Sequence, residues 1–395
     1  MEEKKSFRKG ALCGALAMLL VIAIIGITVI IFALLGFGTV MGSSTEQKLQ
    51  SINTLLESRY LYYDDIDTEA LQDGIVKGYV DALEEPYTAY YNEEETKMLF
   101  ESNSGEFGGI GVGILQDMNT MQITFSIIYE NAPGEKAGFK ANDIVYKVDG
   151  EDVTGMDIDT VVAKIRGEIG TTVEITVLRG DNLEEYTAQV TRELIQTQAV
   201  SYEMKENKIG YIQVTQFEKV AAEQFETALN DLREQGMEGL IVDLRNNPGG
   251  DLDTVCEMAD LVLPEGVIVS TADRNGKGTT RSSDEEHQID VPMVVLVNGN
   301  SASASEIFAG AVKDHGIATI VGTTTYGKGI VQEIYQLPDG TSLKLTSSEY
   351  LTKSGNKIHG IGIAPDVEIE LEYDENRPEY DNQLEKAIEI LKNGM

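Results

Sequence analysis

Residues 11–40 are thirty consecutive positions without a charged side chain, and this run constrains the architecture more than any other stretch. A helix of about 20 apolar residues crosses the hydrocarbon core of a bilayer, so the run predicts a membrane span. Lys4, Lys5, Arg8 and Lys9 precede it, whereas the first basic residue after it is Lys48. The positive-inside rule then places everything beyond residue 40 on the outer face. The apolar core of a removable signal peptide is only about 7–15 residues long, so the expectation is an uncleaved anchor. The chain reads as single-pass, with its body outside the cytoplasm.

With 395 residues there is material for two or three domains. A formal charge of -35, from 66 acidic against 31 basic residues, repels phosphate backbones and excludes nucleic acid as a partner. Cys13 and Cys256 are the only cysteines, too few for a disulfide framework or a Cys-rich metal site. His287, His315 and His359 show no metal-ligand spacing, which argues against a zinc hydrolase. Neither a cofactor nor a metal is expected.

From 45 to 91 the apolar residues recur at helical spacing, first at Leu49, Ile52, Leu55 and Leu56, then at Leu71, Ile75, Tyr79 and Leu83. From 93 to 180 the pattern changes to strand-like runs at 110–115, 121–128, 144–148 and 173–178, parted by Gly- and Asn-rich turns, which predicts a small separate domain. Beyond it, strands at 209–214, 239–244, 293–297 and 319–321 alternate with helices at 220–235, 251–263 and 303–315. That alternation predicts an α/β body. A short helical pattern at 383–391 closes the acidic tail.

The segment Phe107-Gly108-Gly109-Ile110-Gly111-Val112-Gly113 superficially matches a dinucleotide fingerprint, but its glycines do not open a helix. Glycines with unhindered N–H groups that lead into an apolar strand can instead capture the terminal carboxylate of a peptide, while the strand edge pairs with that peptide. Downstream, Asn131-Ala132-Pro133-Gly134, Ala137-Gly138, Asn142-Asp143-Ile144 and Lys147-Val148-Asp149-Gly150 follow in order. The whole resembles the PDZ pattern of bacterial proteases. Phe107, Gly108, Gly109, Ile110, Gly111 and Val112 are then the peptide-binding residues, and the ligand is a protein or peptide with an apolar C-terminus.

Asn300-Ser301-Ala302-Ser303-Ala304-Ser305-Glu306 opens the helix predicted at 303–315. Ser303-x-x-Glu306 has the form of a capping box, so Ser303 is as readily a cap as a nucleophile. A helix start also offers free N–H groups and positive potential to a developing oxyanion, which suits a nucleophilic serine. His315 lies twelve residues along the same helix, roughly 18 Å away at about 1.5 Å per residue, and cannot serve as its base. His287 and His359 lie in loops with no chain-order relation to the serine. Lysine remains, and burial without a nearby carboxylate lowers a lysine's pKa towards a useful base. Lys328, in Tyr326-Gly327-Lys328-Gly329-Ile330-Val331-Gln332, follows an apolar strand and is flanked by glycines, though a turn lysine would look the same. Asn246-Asn247-Pro248-Gly249-Gly250 turns from a strand into a helix, so Gly249 or Gly250 can join the Ala304 N–H as oxyanion donors.

In this order, the segments 243–250, 301–306 and 327–332 resemble the carboxyl-terminal processing peptidases, the tail-specific proteases of serine peptidase family S41, in which a PDZ domain likewise precedes the catalytic segments. The resemblance covers about 49–370. It implies a Ser-Lys mechanism through an acyl-enzyme, with Ser303 as nucleophile, Lys328 as base and Gln332 supporting the lysine, and with Glu306 and Asp314 at contributing polar positions. It also implies that Arg166 is a regulatory arginine of the PDZ domain that touches the peptidase body. Lys328 and Gln332 meet only if a helical turn joins them, so a turn is expected there; an extended strand would hold them about 13 Å apart. The implied fold is multidomain α/β. It comprises a cytoplasmic tail (1–10), a transmembrane anchor (11–40), a helical segment (41–92), a PDZ domain (93–183) and a crotonase/ClpP-like α/β peptidase core (184–395). The implied work is cleavage of extracytoplasmic proteins, of the kind that feeds signal transduction, in a chain that is either a monomer or a homodimer. The competing readings are a membrane-tethered PDZ scaffold with an inactive peptidase body, and a crotonase-like acyl-CoA enzyme, for which the acidic chain offers no basic nucleotide pocket.

Overall fold

The computed structural model describes residues 42–373, 377 and 380–394. The stretch 11–40 lies outside these residues. Among the described residues, no helix is long and apolar enough to cross a membrane.

Two compact units divide between Ile75 and Val76. The first contains α1 (Ser43–Arg59), and α2 (Thr68–Asp81) runs across the division. The second unit begins with β1 (Ala89–Tyr91) and α3 (Glu93–Ser104). The Asn92 side chain caps α3 by accepting from the Glu95 N–H, while the Glu95 carboxylate accepts from the Asn92 N–H, a complete capping box.

The middle domain follows with β2 (Glu106–Gly109), β3 (Val112–Gln116), β4 (Ile123–Ile128), α4 (Pro133–Lys136), β5 (Ile144–Val148), β6 (Glu151–Asp152), α5 (Ile158–Ile165), β7 (Thr172–Arg179), β8 (Glu184–Thr191) and β9 (Glu193–Gln196). The order β3-β4-β5-β7-β8 makes an antiparallel sheet with β3 at one edge, and β2 pairs with β9. Phe125, Val161, Val173, Ile175 and Val177 close its core without exposed surface. The boundary expected at 183 is displaced: β8 pairs with β7 along its whole length and belongs to this sheet, because Val190 fills the same core.

The α/β body contains β10 (Val200–Lys205), β11 (Ile209–Val214), α6 (Val220–Glu234), β12 (Gly239–Asp243), α7 (Leu252–Asp260), β13 (Gly266–Asp273), β14 (Thr280–Ser283), β15 (Met293–Val297), α8 (Ala304–Asp314), β16 (Ala318–Gly322), β17 (Ile330–Gln336), β18 (Ser342–Leu351), β19 (Val367–Glu368) and α9 (Asn382–Gly394). The main sheet runs β10-β11-β12-β15-β16-β19, parallel except for β10. Side chains alternate along its strands, so Leu240, Val242, Val295 and Val297 pack with Phe225, Leu229 and Phe308 of α6 and α8. Ile241, Val294, Leu296 and Val321 join Ala387 and Leu391 of α9 on the other face. Strands buried on both faces read as continuous apolar runs, and this is how the sequence displays β12 and β15.

A second, antiparallel sheet, β1-β18-β13-β14 with β17 on β18, was not evident from the sequence. Its strands mix polar and apolar residues because most positions are only partly covered.

A polar anchor lies at Arg245, whose guanidinium grips Asp243 (Nε to Oδ1, 3.0 Å) and Asp381 (Nη1 to Oδ1, 3.0 Å) and thereby ties the end of β12 to the start of α9. Asp243 is 1% exposed, so removing the arginine strands a buried carboxylate. Arg245→Ala is expected to destabilise the α/β body by about 3–5 kcal/mol, read as a lower midpoint in urea unfolding.

Candidate active site

Three loops leave the carboxyl ends of adjacent parallel strands: 244–251 after β12, 298–303 after β15 and 323–329 after β16. Open parallel sheets bind their ligands at that end. Side chains lace the loops together. The Ser301 hydroxyl donates to the Leu244 carbonyl (2.7 Å) and the Ser305 hydroxyl to the Asn247 carbonyl (3.0 Å). The Ala302 N–H also donates to the Asn247 carbonyl (3.0 Å), and the Tyr326 N–H to the Ser301 carbonyl (3.0 Å).

Ser303 precedes α8 with φ 54° and ψ -114°, outside the extended region an ordinary N-cap adopts. A positive φ at a residue with a side chain costs of order 1–3 kcal/mol and persists only where its surroundings hold it. Here Glu306 holds it. The Ser303 N–H donates to Glu306 Oε2 (2.9 Å), so this half of the expected capping box is present. The same carboxylate accepts from the Lys328 N–H (2.8 Å), the Gly327 N–H (2.7 Å) and the Thr325 hydroxyl (2.6 Å). One buried carboxylate therefore fixes the backbone at both Ser303 and Lys328.

Ser303, Lys328, Gln332 and Gly250 line one cavity of about 400 Å³, together with Tyr350, Lys344 and the α3 residues Leu99, Phe100 and Asn103. Lys328 Nζ lies 4.4 Å from the centroid of the Tyr87 ring. Burial, and then the neighbouring Lys344 ammonium, hold the Lys328 amine below the ordinary lysine value, while Glu85 and Glu306 act in the opposite sense. Burial pushes the Tyr350 phenol, which faces the Ser303 hydroxyl, up to about 12. Neither Tyr350 nor Lys344 carried a signal in the sequence, because both sit on β18 in the unrecognised sheet.

The expected turn from Lys328 to Gln332 is not present. β17 begins at Ile330, and a bulge between Val331 and Gln332 shifts its register on β18. A bulge re-aims side chains without a helical turn, and both residues reach the cavity wall. The Gln332 amide donates to Thr346 Oγ1 (3.3 Å), and the Thr346 hydroxyl donates to Glu85 Oε2 (2.8 Å).

The two glycines of the strand-to-helix loop differ. The Gly249 N–H is taken by the Asn247 side chain (2.8 Å), so it is not a free donor. Gly249 matters instead for space, since a Cβ there would lie 2.7 Å from Ser303 Cβ, at φ 106°. The Gly250 N–H has no hydrogen-bond partner among the described residues. The Ala304 N–H stands at the first helical position, where no carbonyl of the same helix can accept it.

A second cavity, of about 250 Å³, lies between β3 and α5 and is lined by Phe107, Gly109, Ile110, Gly111, Val112 and Arg166 among others. Gly108 does not line it and packs instead on Gly167, whose N–H donates to the Gly108 carbonyl (3.2 Å). The Arg166 guanidinium stacks on the Phe107 ring (3.9 Å) and reaches Glu101 of α3 (3.9 Å). Of the histidines, His315 is bound to the Val267 carbonyl (2.9 Å). Asp260, Asp284 and His287 bring ligand atoms within 4.8 Å of one another, but none of them lines the Ser303 cavity.

Comparison with known proteins places the chain among peptidases. The profile of peptidase family S41 matches residues 208–369, and that of the PDZ domain matches residues 125–179. The carboxy-terminal processing protease CtpA of Bacillus subtilis (strain 168) is 35% identical over 336 residues, covering 85% of this chain and 72% of that protein. The probable CtpA-like serine protease of Staphylococcus aureus (strain N315) is 36% identical over 327 residues, covering 82% of this chain and 64% of that one. Among solved structures, the photosystem II D1 C-terminal processing protease is 28% identical and covers 87% of this chain and 90% of that one, with a TM-score of 0.49. A candidate S41 protease from Bacteroides fragilis NCTC 9343, 14% identical and covering 87% and 97%, shares the fold with a TM-score of 0.51.

The electrostatic setting of Lys328 can be measured directly. Lys344→Gln removes a like charge and is expected to raise the Lys328 pKa, seen as a higher titration midpoint of the Lys328 side chain by NMR. An unmoved midpoint would refute the coupling.

Proposed function

The chain belongs to peptidase family S41, among the carboxy-terminal processing serine proteases that carry a PDZ domain, and we propose that it cleaves by a Ser-Lys mechanism centred on Ser303 and Lys328. The observation that carries this reading is the shared cavity, in which a strained serine at a helix start and a lysine with a lowered pKa are anchored by one carboxylate. Neutral Lys328 takes the proton of the Ser303 hydroxyl as Oγ attacks the scissile carbonyl. The Gly250 and Ala304 N–H groups stabilise the oxyanion. Collapse expels the amine, which leaves with the proton from Lys328, and water then hydrolyses the acyl-enzyme with Lys328 again as base. Gln332 acts at one remove, through Thr346 and Glu85, on the charge balance around the lysine.

Lys328 Nζ donates no hydrogen bond among the described residues and rests on Tyr87, so it swings from the ring to the serine when substrate enters. Hydrogen bonds of catalytic groups commonly tighten only in the substrate complex. The groove between β3 and α5 receives an apolar C-terminus, with the unpaired edge of β3 available to an added strand. Arg166 bridges this groove and α3, whose Leu99, Phe100 and Asn103 line the catalytic cavity, and this supports a regulatory part for the arginine. Residues 11–40 anchor the chain in the membrane with its catalytic body outside the cytoplasm, a reading supported by their lack of charge and by the basic cluster before them.

The test uses the full-length chain with an unfolded protein substrate bearing a free apolar C-terminus. Ser303→Ala and Lys328→Ala are each expected to lower kcat by at least about a thousandfold. Near wild-type cleavage by Lys328→Ala would overturn the mechanism. Because the base works unprotonated, activity rises with pH through the Lys328 pKa, below the ordinary lysine value of 10.5. Gly249→Ala is expected to fold yet lose most labelling of Ser303 by a fluorophosphonate, as the added methyl displaces the serine.

A further inference from the structure

The catalytic cavity carries a charge opposite to that of the molecule around it. Against a formal charge of -35, its wall presents three amines, Lys219, Lys328 and Lys344, and one carboxylate, Asp251. Asp251 is occupied: its Oδ1 accepts from the Thr254 N–H (2.9 Å) and hydroxyl (3.1 Å) as the cap of α7. The carboxylates just behind the wall are engaged as well, Glu306 by four donors and Glu85 by the Thr88 and Thr346 hydroxyls and the Tyr87 N–H. Lys219 and Lys344 have no such partner. Neither amine forms an ion pair with any described residue, although most lysines of this acidic chain that have a partner find a carboxylate within 4.0 Å. Lys344 is half-buried and lies over the Tyr91 ring (5.3 Å), while Lys219 is exposed at the mouth.

Two unpaired cations on the wall of a cavity that opens on a serine are placed to hold an anion. We propose that Lys219 and Lys344 form a carboxylate-binding subsite of the catalytic cavity, so that the bond cut lies beside an acidic group of the substrate. The proposal rests on the reading of this cavity as the place where peptide is cleaved. The charge of the remaining surface is no obstacle, because at physiological salt it is screened beyond about 8 Å, whereas the two lysines act at contact range. The carboxylate is either that of a Glu or Asp side chain flanking the cut or the end of the substrate chain, and the two sources are separable.

The experiment measures peptide affinity to the full-length Ser303→Ala chain, so that no cleavage is needed, and cleavage by the unsubstituted chain in parallel. One peptide set shares an apolar C-terminus and carries Glu or its neutral isostere Gln at each position around the cut. A second set differs only in a free or amidated C-terminus. The expected result is roughly three- to tenfold tighter binding of the carboxylate-bearing member at about 0.15 M salt. The preference should fade as salt rises and drop towards unity in Lys219→Gln and in Lys219→Gln/Lys344→Gln. Whatever preference survives the double substitution belongs to the groove of the middle domain. A lysine-dependent preference confined to the Glu set assigns the subsite to a side chain, and one confined to the free-acid set assigns it to the chain end. The proposal is overturned if neither set shows a lysine-dependent preference. Lys219 is exposed, so its single variant folds whatever the effect at Lys344. Failure of the unsubstituted chain to cut any peptide, with the preference intact, would count against the catalytic reading and leave the subsite standing.

Discussion

Glu306 accepts hydrogen bonds from the Ser303 N–H, the Thr325 hydroxyl and the N–H groups of Gly327 and Lys328, and has no exposed surface. A carboxylate withdrawn from water is tolerated only when its lone pairs are filled, and bonds to a charged acceptor contribute about 1.5–3 kcal/mol each. The bonds that satisfy Glu306 also determine the backbone on either side of the cavity. They hold Ser303 at its positive φ and draw the loop after β16 against the start of α8. Together with the bond from the Tyr326 N–H to the Ser301 carbonyl, this acceptor fixes Lys328, 25 positions further along the chain, relative to the serine.

The second constraint is electrostatic. Burial and a like charge favour the neutral amine of Lys328, whereas Glu85 and Glu306 favour its ammonium form. Engagement of Glu85 and Glu306 by hydrogen-bond donors keeps each carboxylate turned towards its own partners rather than into an ion pair with the lysine. The protonation of Lys328 is therefore governed by a balance among residues from four separate stretches: the segment before β1, α8, the loop after β16, and β18. The α3 helix belongs to this environment as well, since it lines the Ser303 cavity with one set of residues and meets Arg166 with another.

Much of this was legible in the chain. The strands β11, β12, β15 and β16 and the helices α6, α7 and α8 follow the apolar periodicity closely, because elements buried in a parallel sheet and its helical cover have little freedom in composition. The antiparallel sheet leaves little trace in the sequence because β17 and β18 are only partly buried and alternate weakly. The strand β17 also replaced the anticipated turn after Lys328, since a single bulge re-aims Gln332 without any signature in residue type. The sequence offers Gly249 and Gly250 as equivalent donors, but the Asn247 side chain, which only the folded loop brings to Gly249, leaves Gly250 as the one whose N–H has no partner among the described residues.

By itself the sequence determined which residue types stand at the three loop ends and in which order, because glycine, proline and small hydroxyl residues are demanded by local backbone geometry. Through apolar period it also indicated a strand-rich middle domain ahead of an α/β body, though not where one ends and the other begins. Only the tertiary structure decided which of those residues share a cavity, since Ser303, Lys328, Lys344 and Tyr350 come from segments whose meeting depends on sheet order and register. It likewise turned Glu306 from a helix cap into the tie between Ser303 and Lys328. A capping position is readable from four adjacent residues, but three of the four hydrogen bonds to Glu306 arrive from the loop after β16, 19 to 22 residues away.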